Sequence, residues 1–290
     1  MLKQRIVGVL LVREGIVVQS ISFKKWLPVG KPAIAVEHLN RWGIDEIALI
    51  NISPNSGNDD SLHRMIADVA PYCFVPLAIG GGIRTIEQVH DVVRTGADRV
   101  ILTTAVADNP ALITQAASRF GSQAIIAAID VRKNAQGSYD AYVDYGRRKV
   151  DLAPAALAKR AEDHGAGEIL IQAIYRDGSR LGYDLELVEL ICKAVGVPVI
   201  ALGGVGAPAH MVDAMSIAGV GGLAAGNYLH YTEHTAAVAK AALMAKGGDL
   251  RHDSYADYEG FSFDAAGRLK KKSDASLMDM MFVHYTDEVI

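Results

Sequence analysis

The sequence has few cysteines, little net charge and no long apolar run, and each shortage excludes a class of protein. Its two cysteines, Cys73 and Cys192, lie far apart in apolar segments. We expect them to be small buried hydrophobes in a reducing compartment, not a disulfide or a metal pair. The formal net charge is −4, which disfavours nucleic acid as a partner.

Membrane and secretory segments are also missing. No apolar run approaches the roughly 18 residues that a membrane span needs. The amino-terminal apolar stretch is short and lacks a small-residue cleavage site, so we expect a first strand there and not a signal peptide. Hydrophobic residues make up 50% of the chain, enough for one large core. These features predict a cytoplasmic protein with no membrane association.

Short apolar runs alternate with longer amphipathic segments. The runs do not alternate apolar with polar residues, which is typical of strands buried on both faces. The predicted strands are 6–12, 46–52, 75–79, 99–103, 124–130, 168–174, 197–202 and 222–225. The predicted helices lie near 32–42, 59–72, 85–95, 109–119, 153–164, 184–195, 208–218 and 233–246, and Asn109-Pro110 and Asp184 suit helix starts. Eight strands alternating with eight helices predict one α/β domain, a (βα)8 TIM barrel.

The two halves of this barrel resemble each other. VPLAIGGGI (75–83) matches VPVIALGGV (197–205), and GIDEIALIN (43–51) matches GAGEILIQA (165–173) at the same spacing. Chance similarity between βα units is the alternative, but several blocks match in the same order. Since a half-barrel leaves sheet edges open, two such halves must close on each other.

We expect the barrel to cover 1–247 and an appendix to cover 248–290. The appendix has a different composition, with four aromatic residues followed by three consecutive lysines at 270–272. Such a segment is expected to pack on the barrel or on a partner subunit. The lysine run is more typical of a solvated turn than of a binding patch.

Glycine pairs follow two repeat-related strands and precede helices. Glycine there lets the backbone approach a ligand, and the helix start that follows favours an anion. Tight turns use glycine too, but two related copies favour two phosphate cradles. The predicted cradle residues are Gly81, Gly82, Thr103 and Thr104 in the first half, and Gly203, Gly204, Ala225, Gly226 and Asn227 in the second. They predict a doubly phosphorylated small molecule as ligand, or the remnant of a site for one.

Two aspartates are expected near the same end of the barrel. Asp130 ends an otherwise apolar strand, which suits a general acid or base. Its alternatives are a helix cap or an ion pair with Arg132 or Lys133. Asp177 follows the sixth strand, and it could bind ligand together with the amide of Gly178 or could simply shape a turn.

Four charged residues stand at or just before strand starts, at the opposite end. They are Arg5, Glu46, Arg99 and Glu168. Charges of alternating sign there predict a ring of ion pairs that closes the base of the barrel. At a barrel base such charges usually serve stability, and a role in a channel is the alternative.

These motifs resemble the cyclase subunit of imidazole glycerol phosphate synthase, the HisF family, over about residues 1–246. The matching motifs are GGGI (80–83), NPALITQ (109–115), FGSQAIIAAID (120–130), HGAGEILIQ (164–172), RDGSRLGYD (176–184) and ALGGVG (201–206). The resemblance implies a HisH-like glutaminase docked at the barrel base, whose ammonia passes a gate of four charged residues. Arg5, Glu46, Arg99 and Glu168 match that gate, with Arg99 where lysine is usual. Asp98 and Gln123 match the glutaminase-facing side.

The sequence departs from the family at the mouth. Family cyclisation uses two aspartates as acid and base; Asp130 matches one, but Leu11 occupies the other position. Gln19 replaces a lysine, Asn51 and Tyr175 replace acidic residues, and Gly226 replaces a phosphate-binding serine. Because an aliphatic side chain cannot exchange a proton, these departures weaken the expectation of cyclase activity.

The pattern of these departures resembles a side branch of the family. VGVLLVREG (7–15) and KKWLPVGKP (24–32) resemble the HisF-like proteins of surface-polysaccharide clusters, called glycosyl amidation-associated or acetamidino-modification proteins. That resemblance implies a glutaminase partner and a separate N-acetyl sugar amidotransferase, which together amidate a sugar. Two alternatives stay open: a true histidine-pathway cyclase, and a non-enzymatic scaffold that activates a glutaminase. No cofactor or metal is expected.

Overall fold

The fold is taken from a computed structural model of the chain. It describes residues 3–54 and 61–251, with positions 256, 258, 261–264, 268–270 and 273 of the appendix. Within these residues eight parallel strands close into a barrel surrounded by helices, as the sequence predicts. Among the helices described, none is long and apolar enough to cross a membrane.

The barrel strands run in the order β1, β4, β5, β6, β7, β10, β11 and β12, and β12 pairs with β1 to close the sheet. The described strands are β1 (Arg5–Arg13), β2 (Ile16–Ile21), β3 (Lys25–Gly30), β4 (Glu46–Asn51), β5 (Leu77–Gly80), β6 (Arg99–Leu102), β7 (Ile125–Lys133), β8 (Tyr139–Val143), β9 (Arg148–Lys149), β10 (Glu168–Ala173), β11 (Val199–Leu202) and β12 (Val220–Ala225).

The described helices are α1 (Pro32–Arg41), α2 (Ser61–Val69), α3 (Ile86–Thr95), α4 (Thr104–Asp108), α5 (Ala111–Phe120), α6 (Pro154–Asp163), α7 (Leu185–Ala194), α8 (Pro208–Met215) and α9 (Thr235–Ala245). Helix α7 begins as predicted, because Asp184 accepts a hydrogen bond from the amide of Leu187. Helix α3 begins with a capping box between Thr85 and Gln88.

The repeat seen in the sequence is also present in the fold. Strands β4 and β10 begin at Glu46 and Glu168, and strands β5 and β11 begin at Leu77 and Val199, with the same spacing. Two predicted strands begin later than expected, since Pro76 and Pro198 lack an amide hydrogen. Their carbonyls still accept hydrogen bonds from the neighbouring strands.

Two antiparallel extensions lie outside the predicted scheme. Strand β1 continues to Arg13 and pairs with β2, which pairs with β3. In the second half, β7 continues to Lys133 and pairs with β8, which pairs with β9. Both extensions follow the first strand of a half-barrel, so the barrel mouth carries a pair of related hairpins.

The barrel has an apolar interior separate from the layer between strands and helices. It is lined by residues from all eight barrel strands, chiefly valine, isoleucine, leucine and alanine. The buried members are Val7, Val9, Ala48, Ala78, Ile101, Ile126, Ala128, Leu170, Ile200, Leu202 and Ala224. Only the two ends of the barrel therefore offer polar groups to a molecule inside it.

The described part of the appendix contacts the barrel. Leu250 is buried and bridges to Gln4, whose amide donates to the carbonyl of Asp249. Farther along, the Tyr258 hydroxyl lies 2.7 Å from His234 Nδ1. The aromatic residue Tyr255 and two of the lysines at 270–272 lie outside the described residues. The boundary between barrel and appendix near residue 247 stays a prediction.

Candidate functional site

A cavity of about 430 Å³ opens at the carboxyl ends of the barrel strands. Binding sites for small molecules commonly have volumes of roughly 300–1,000 Å³. Its floor reaches the apolar barrel interior at Ile101, Ala128 and Leu170. The β2–β3 hairpin supplies part of its wall, through Phe23, Lys24 and Trp26.

The predicted first-half cradle lines this cavity. Gly81, Gly82, Thr103 and Thr104 all face it. Gly81 has φ +107°, and a Cβ atom there would lie 2.1 Å from the backbone oxygen of Asn51. The turn between β5 and α3 therefore needs glycine, both for its backbone conformation and for its contact with β4.

The predicted second-half cradle lies in a different and much smaller cleft. Its volume is about 30 Å³. The cleft contains the residues predicted for the second half, together with part of the RDG loop. The predicted members are Asp177, Gly178, Gly203, Gly204, Ala225, Gly226 and Asn227. The two halves thus keep related backbones, but among the described residues the first-half cradle faces the larger of these two clefts.

Ser20 ties the β2–β3 hairpin to two residues that line the second cleft, Asn227 and Asp177. The Ser20 amide donates to Asn227 Oδ1 at 3.1 Å, and Asn227 Nδ2 donates to the Ser20 carbonyl at 2.6 Å. The Ser20 hydroxyl donates to Asp177 Oδ2 at 2.6 Å, and the Phe23 amide donates to the same oxygen. In this conformation Asp177 anchors the hairpin, while its predicted role in ligand binding stays untested.

Asp130 lies on β7 and is 7% exposed in the wall of the large cavity. Burial and then the charge of Asp177 raise the pKa of Asp130 to about 7, and Arg132 offsets only part of this. Neither proposed ion-pair alternative occurs within the described residues. Arg132 donates to the Gly146 carbonyl, and Lys133 pairs with Glu186. A carboxyl group that titrates near neutrality suits proton transfer.

Leu11 stands at the boundary between the two clefts. It lies on β1 opposite Ile50 of β4, and both it and Gln172 line both clefts. Asp177 influences Asp130 electrostatically, but it faces the small cleft on the far side of these residues. Burial raises the pKa of Asp177 to about 6 despite hydrogen bonds from Ser20, Phe23 and Ser22. Among the described residues that line it, the large cavity therefore contains one buried acid, Asp130, whereas the resemblance noted above implies two.

At the opposite end, the four predicted charges form a closed ring. Arg5 contacts Glu46 at 2.6 Å and Glu168 at 2.5 Å, and Arg99 contacts Glu46 at 2.9 Å and Glu168 at 2.6 Å. Both glutamate side chains are 3% exposed, and the arginines 19% and 15%. Burial opposes ionisation of Arg5, but the charges of Glu168 and Glu46 outweigh it and raise its pKa. The four side chains thus have the arrangement predicted from the sequence. Whether the ring serves stability or a channel stays a prediction.

One oxygen of this ring is unused. Glu168 Oε1 is buried and has no hydrogen-bond partner among the described residues. An unpaired buried acceptor costs free energy, so it is a feature that calls for a ligand or a water molecule.

Asp98 and Gln123, the predicted glutaminase-facing residues, lie beside Arg99 on this outer surface. Both are exposed. Asp98 accepts a hydrogen bond from the Leu77 amide at 2.8 Å, and the Gln123 carbonyl accepts one from Arg99 Nε at 2.9 Å. Their local contacts stabilise strand starts, and their role at an interface stays a prediction.

Tyr175, which replaces an acidic residue of the family, stabilises the start of α7. Its hydroxyl donates a short hydrogen bond to Asp184, and the Tyr139 hydroxyl donates to the same carboxylate at 3.1 Å. Burial opposes ionisation of Asp184, but these bonds and the Leu187 amide outweigh it and lower its pKa.

Replacing Tyr175 with phenylalanine is expected to lower the free energy of unfolding by about 1–2 kcal/mol, since a hydrogen bond to a charged group is lost. Chemical unfolding of the full chain measures this change. Tyr72→Phe, at an exposed tyrosine, is the matched control. An equal effect of both changes would contradict the role of Tyr175.

Sequence reasoning missed several residues of the large cavity. Arg13, Trp26, Arg132, Tyr145 and Arg147 line it, and all lie on or beside the two hairpins. The basic and aromatic composition of 24–26 and 145–148 was the available signal.

Comparison with known proteins decides the family. The model of the family described as "Histidine biosynthesis protein" matches residues 5–235. The chain belongs to this family. It is also 36% identical over 269 residues to a Vibrio vulnificus (strain YJ016) protein named "Putative imidazole glycerol phosphate synthase subunit hisF2". That match covers 92% of this chain and 98% of the Vibrio protein. Together they establish a HisF-like barrel, and the side branch suggested by the sequence stays a proposal.

Proposed function

We propose that this HisF-like protein conducts ammonia from a HisH-like glutaminase to an amidation reaction at its mouth. The acceptor would be a surface-polysaccharide sugar. With the help of an N-acetyl sugar amidotransferase, ammonia replaces the amide oxygen of its acetamido group, which becomes an acetamidino group, and the oxygen leaves as water. The observation that carries the proposal is the contrast between the two ends of the barrel. The ring of Arg5, Glu46, Arg99 and Glu168 is complete, whereas Leu11 stands where cyclisation needs an acid.

The chemistry of the ring suits the passage of a small neutral base. Glu168 Oε1 is an unused acceptor beside the ring, and ammonia is a hydrogen-bond donor. Above the ring the interior is apolar, with alanine at positions 48, 78, 128 and 224. An ammonium ion would lose its hydration there at great cost, whereas neutral ammonia would lose much less. The barrel therefore favours the nucleophilic form of the substrate.

The chemistry of the mouth does not favour the family's cyclisation. General acid–base catalysis contributes roughly 100- to 10,000-fold, and Leu11 removes one of the two groups. The pKa of Asp130 is raised to about 7, so this one carboxyl group can still donate or accept a proton during amidation.

A genuine cyclase is the second candidate. It is favoured by the family match, by the name of the Vibrio relative, and by the intact first-half cradle at Gly81 and Thr103. In this case the missing acid would have to be supplied by the substrate or by water.

The test is an assay of the full chain with ammonium chloride and the histidine-pathway nucleotide. We expect turnover at least about 100-fold below that of an authentic cyclase subunit, for the loss of one proton-transfer group. Leu11→Asp is the matched variant. A higher turnover in this variant would show that the wild type is limited by the proton-transfer group missing at position 11. Robust turnover by the wild type, or complementation of a cyclase-deficient strain, would establish the second candidate.

A scaffold that only activates glutaminase is distinguished by Asp130→Ala. The reconstituted system would contain this chain, a glutaminase and a sugar amidotransferase encoded beside it. If the variant sustains full glutamine-dependent amidation, Asp130 has no chemical role. A loss of product with unchanged glutaminase activity would support a reaction at the mouth.

A further inference from the structure

Gln172 lies beside Asp130 at the top of the barrel interior, and the function proposed above gives it no role. The two residues are paired in register on the neighbouring strands β10 and β7. Both are 7% exposed, and both line the large cavity. A glutamine side chain offers two N–H donors and a carbonyl acceptor. In the described part of the chain no residue hydrogen-bonds this side chain, so its amide is available to a ligand in the cavity.

Gln172 also stands above the base ring on a strand that the ring uses. Alternate residues of a strand face the same side, so Glu168, Leu170 and Gln172 all face the barrel axis. Glu168 belongs to the ring and Leu170 to the apolar interior. At about 3.3 Å per residue, Gln172 lies roughly 13 Å beyond Glu168 along β10. A small molecule that leaves the interior beside this strand therefore meets Gln172 and Asp130 together.

The first half of the barrel has apolar residues at the corresponding positions. The matched sequence blocks set Ile50 against Gln172, and Ile50 pairs in register with Leu11 as Gln172 pairs with Asp130. In the closed sheet β1 lies four strands from β7, and β4 lies four strands from β10, so the two pairs stand on opposite sides. All four residues line the large cavity. Its inner end therefore has a polar side and an apolar side.

An acetamido group has the same division. Its carbonyl oxygen and N–H group are polar, whereas its methyl group is apolar. Between the two pairs, the carbonyl oxygen can accept a hydrogen bond from Gln172 while the methyl group contacts Leu11 and Ile50. A sugar with a hydroxyl group in place of the acetamido group would leave the apolar pair uncovered, and it would lose the favourable burial of a methyl group.

We propose that Gln172 binds the acetamido group of the acceptor by donating from Nε2 to its carbonyl oxygen, with the acetamido methyl group against Leu11 and Ile50. This arrangement brings the carbonyl carbon beside Asp130, where the barrel interior opens. The inference rests on the proposed function for the identity of the acceptor, an N-acetylated amino sugar. It gives the leucine at position 11 a role in recognition. Binding itself requires neither ammonia nor a glutaminase.

Calorimetric titration of the full chain with matched sugars tests this recognition. The probes are N-acetylglucosamine 1-phosphate with glucose 1-phosphate, and UDP-N-acetylglucosamine with UDP-glucose. The members of each pair differ in one substituent, acetamido or hydroxyl, so contacts to the phosphate contribute equally to both. We expect the N-acetylated member to bind at least about tenfold more tightly, for one hydrogen bond and one buried methyl group.

Gln172→Met removes the amide and keeps a side chain of similar length. This variant should lower the preference for the N-acetylated member about fivefold, which is the share of one hydrogen bond. Gln115→Met, at an exposed glutamine of α5, is the matched control and should keep the wild-type preference. A change that only disturbs folding would weaken both members of a pair equally and leave the preference as it was.

Equal binding of both members of each pair by the wild type would overturn the inference, and so would a failure of both N-acetylated probes to bind. An unchanged preference in Gln172→Met would also overturn it. The wild-type comparison decides the matter even if Gln172→Met does not fold. Because these titrations contain no ammonia, a negative result leaves conduction untouched. A clear preference in a protein that does not support glutamine-dependent amidation would instead overturn the proposed function alone.

Discussion

Asp130→Asn is expected to make the protein more stable at pH 8 and to leave its stability nearly unchanged at pH 4. Burial and the charge of Asp177 raise the pKa of Asp130 from 3.8 to about 7. Within the described residues no donor hydrogen-bonds its carboxylate, and the charge of Arg132 offsets only part of the desolvation of the charged form. The neutral amide of asparagine avoids that desolvation.

The direction of this pH dependence follows from the difference between the pKa of Asp130 in the folded and in the unfolded state. Because the folded state holds the Asp130 proton more tightly than the unfolded state, the stability that protonated Asp130 contributes is fully present below about pH 4 and is lost as pH rises through about 7. Each pKa unit corresponds to about 1.4 kcal/mol, so we expect the variant to gain about 2–4 kcal/mol at pH 8. Asp177, with a pKa of about 6, gives the same trend more weakly and remains in the variant.

Urea unfolding of both proteins at pH 4, 6 and 8 measures this difference. Asp68→Asn is the matched control, at an exposed aspartate, and it should change little at any pH. A variant that is less stable than the wild type at pH 8 would show that the Asp130 carboxylate is stabilised when charged. A loss of amidation in the stabilised variant would place Asp130 in the reaction and not in the fold.

The barrel could be predicted because its signals are local. Several features depend on residues close in sequence or on the repeat. They are the strand starts at Glu46 and Glu168, the helix cap at Asp184 and the glycine turns at Gly81 and Gly203. The four base charges could be grouped because parallel strands place their starts at one end. The described structure agrees with these expectations.

The mouth could not be predicted because its decisive contacts are distant in sequence. The repeat suggests two similar cradles, but Ser20 contacts Asn227 across 207 positions and ties the hairpin to the second of them. The hairpin that carries Ser20 has an exposed second strand, β3, and no buried pattern marks such a strand in a sequence. The asymmetry of the site therefore emerges only from tertiary contacts.

Arg5→Ala is expected to lower the free energy of unfolding by about 3–5 kcal/mol, because two buried carboxylates lose one of the two guanidinium groups that they share. Glu46 and Glu168 would then share the single guanidinium of Arg99, and both remain almost fully buried. Urea unfolding at neutral pH measures the loss. Arg41→Ala, which breaks an exposed pair with Glu37, is the control and should cost at most about 1 kcal/mol.

A double variant separates stability from conduction. Arg5→Met with Glu168→Gln removes one charge of each sign and keeps the Arg99–Glu46 pair at 2.9 Å. Replacing a buried ion pair by neutral groups of similar volume is often nearly neutral for stability, so this variant should recover most of what Arg5→Ala loses.

If the ring only stabilises the base, the double variant should behave as the wild type in every reaction. If the ring admits ammonia, glutamine-dependent amidation should fall at least tenfold, while amidation supplied with ammonium chloride from the mouth side should be unchanged. If the double variant keeps the wild-type rate with glutamine as well as with ammonium chloride, the ring serves stability alone. That result would remove the main support for conduction.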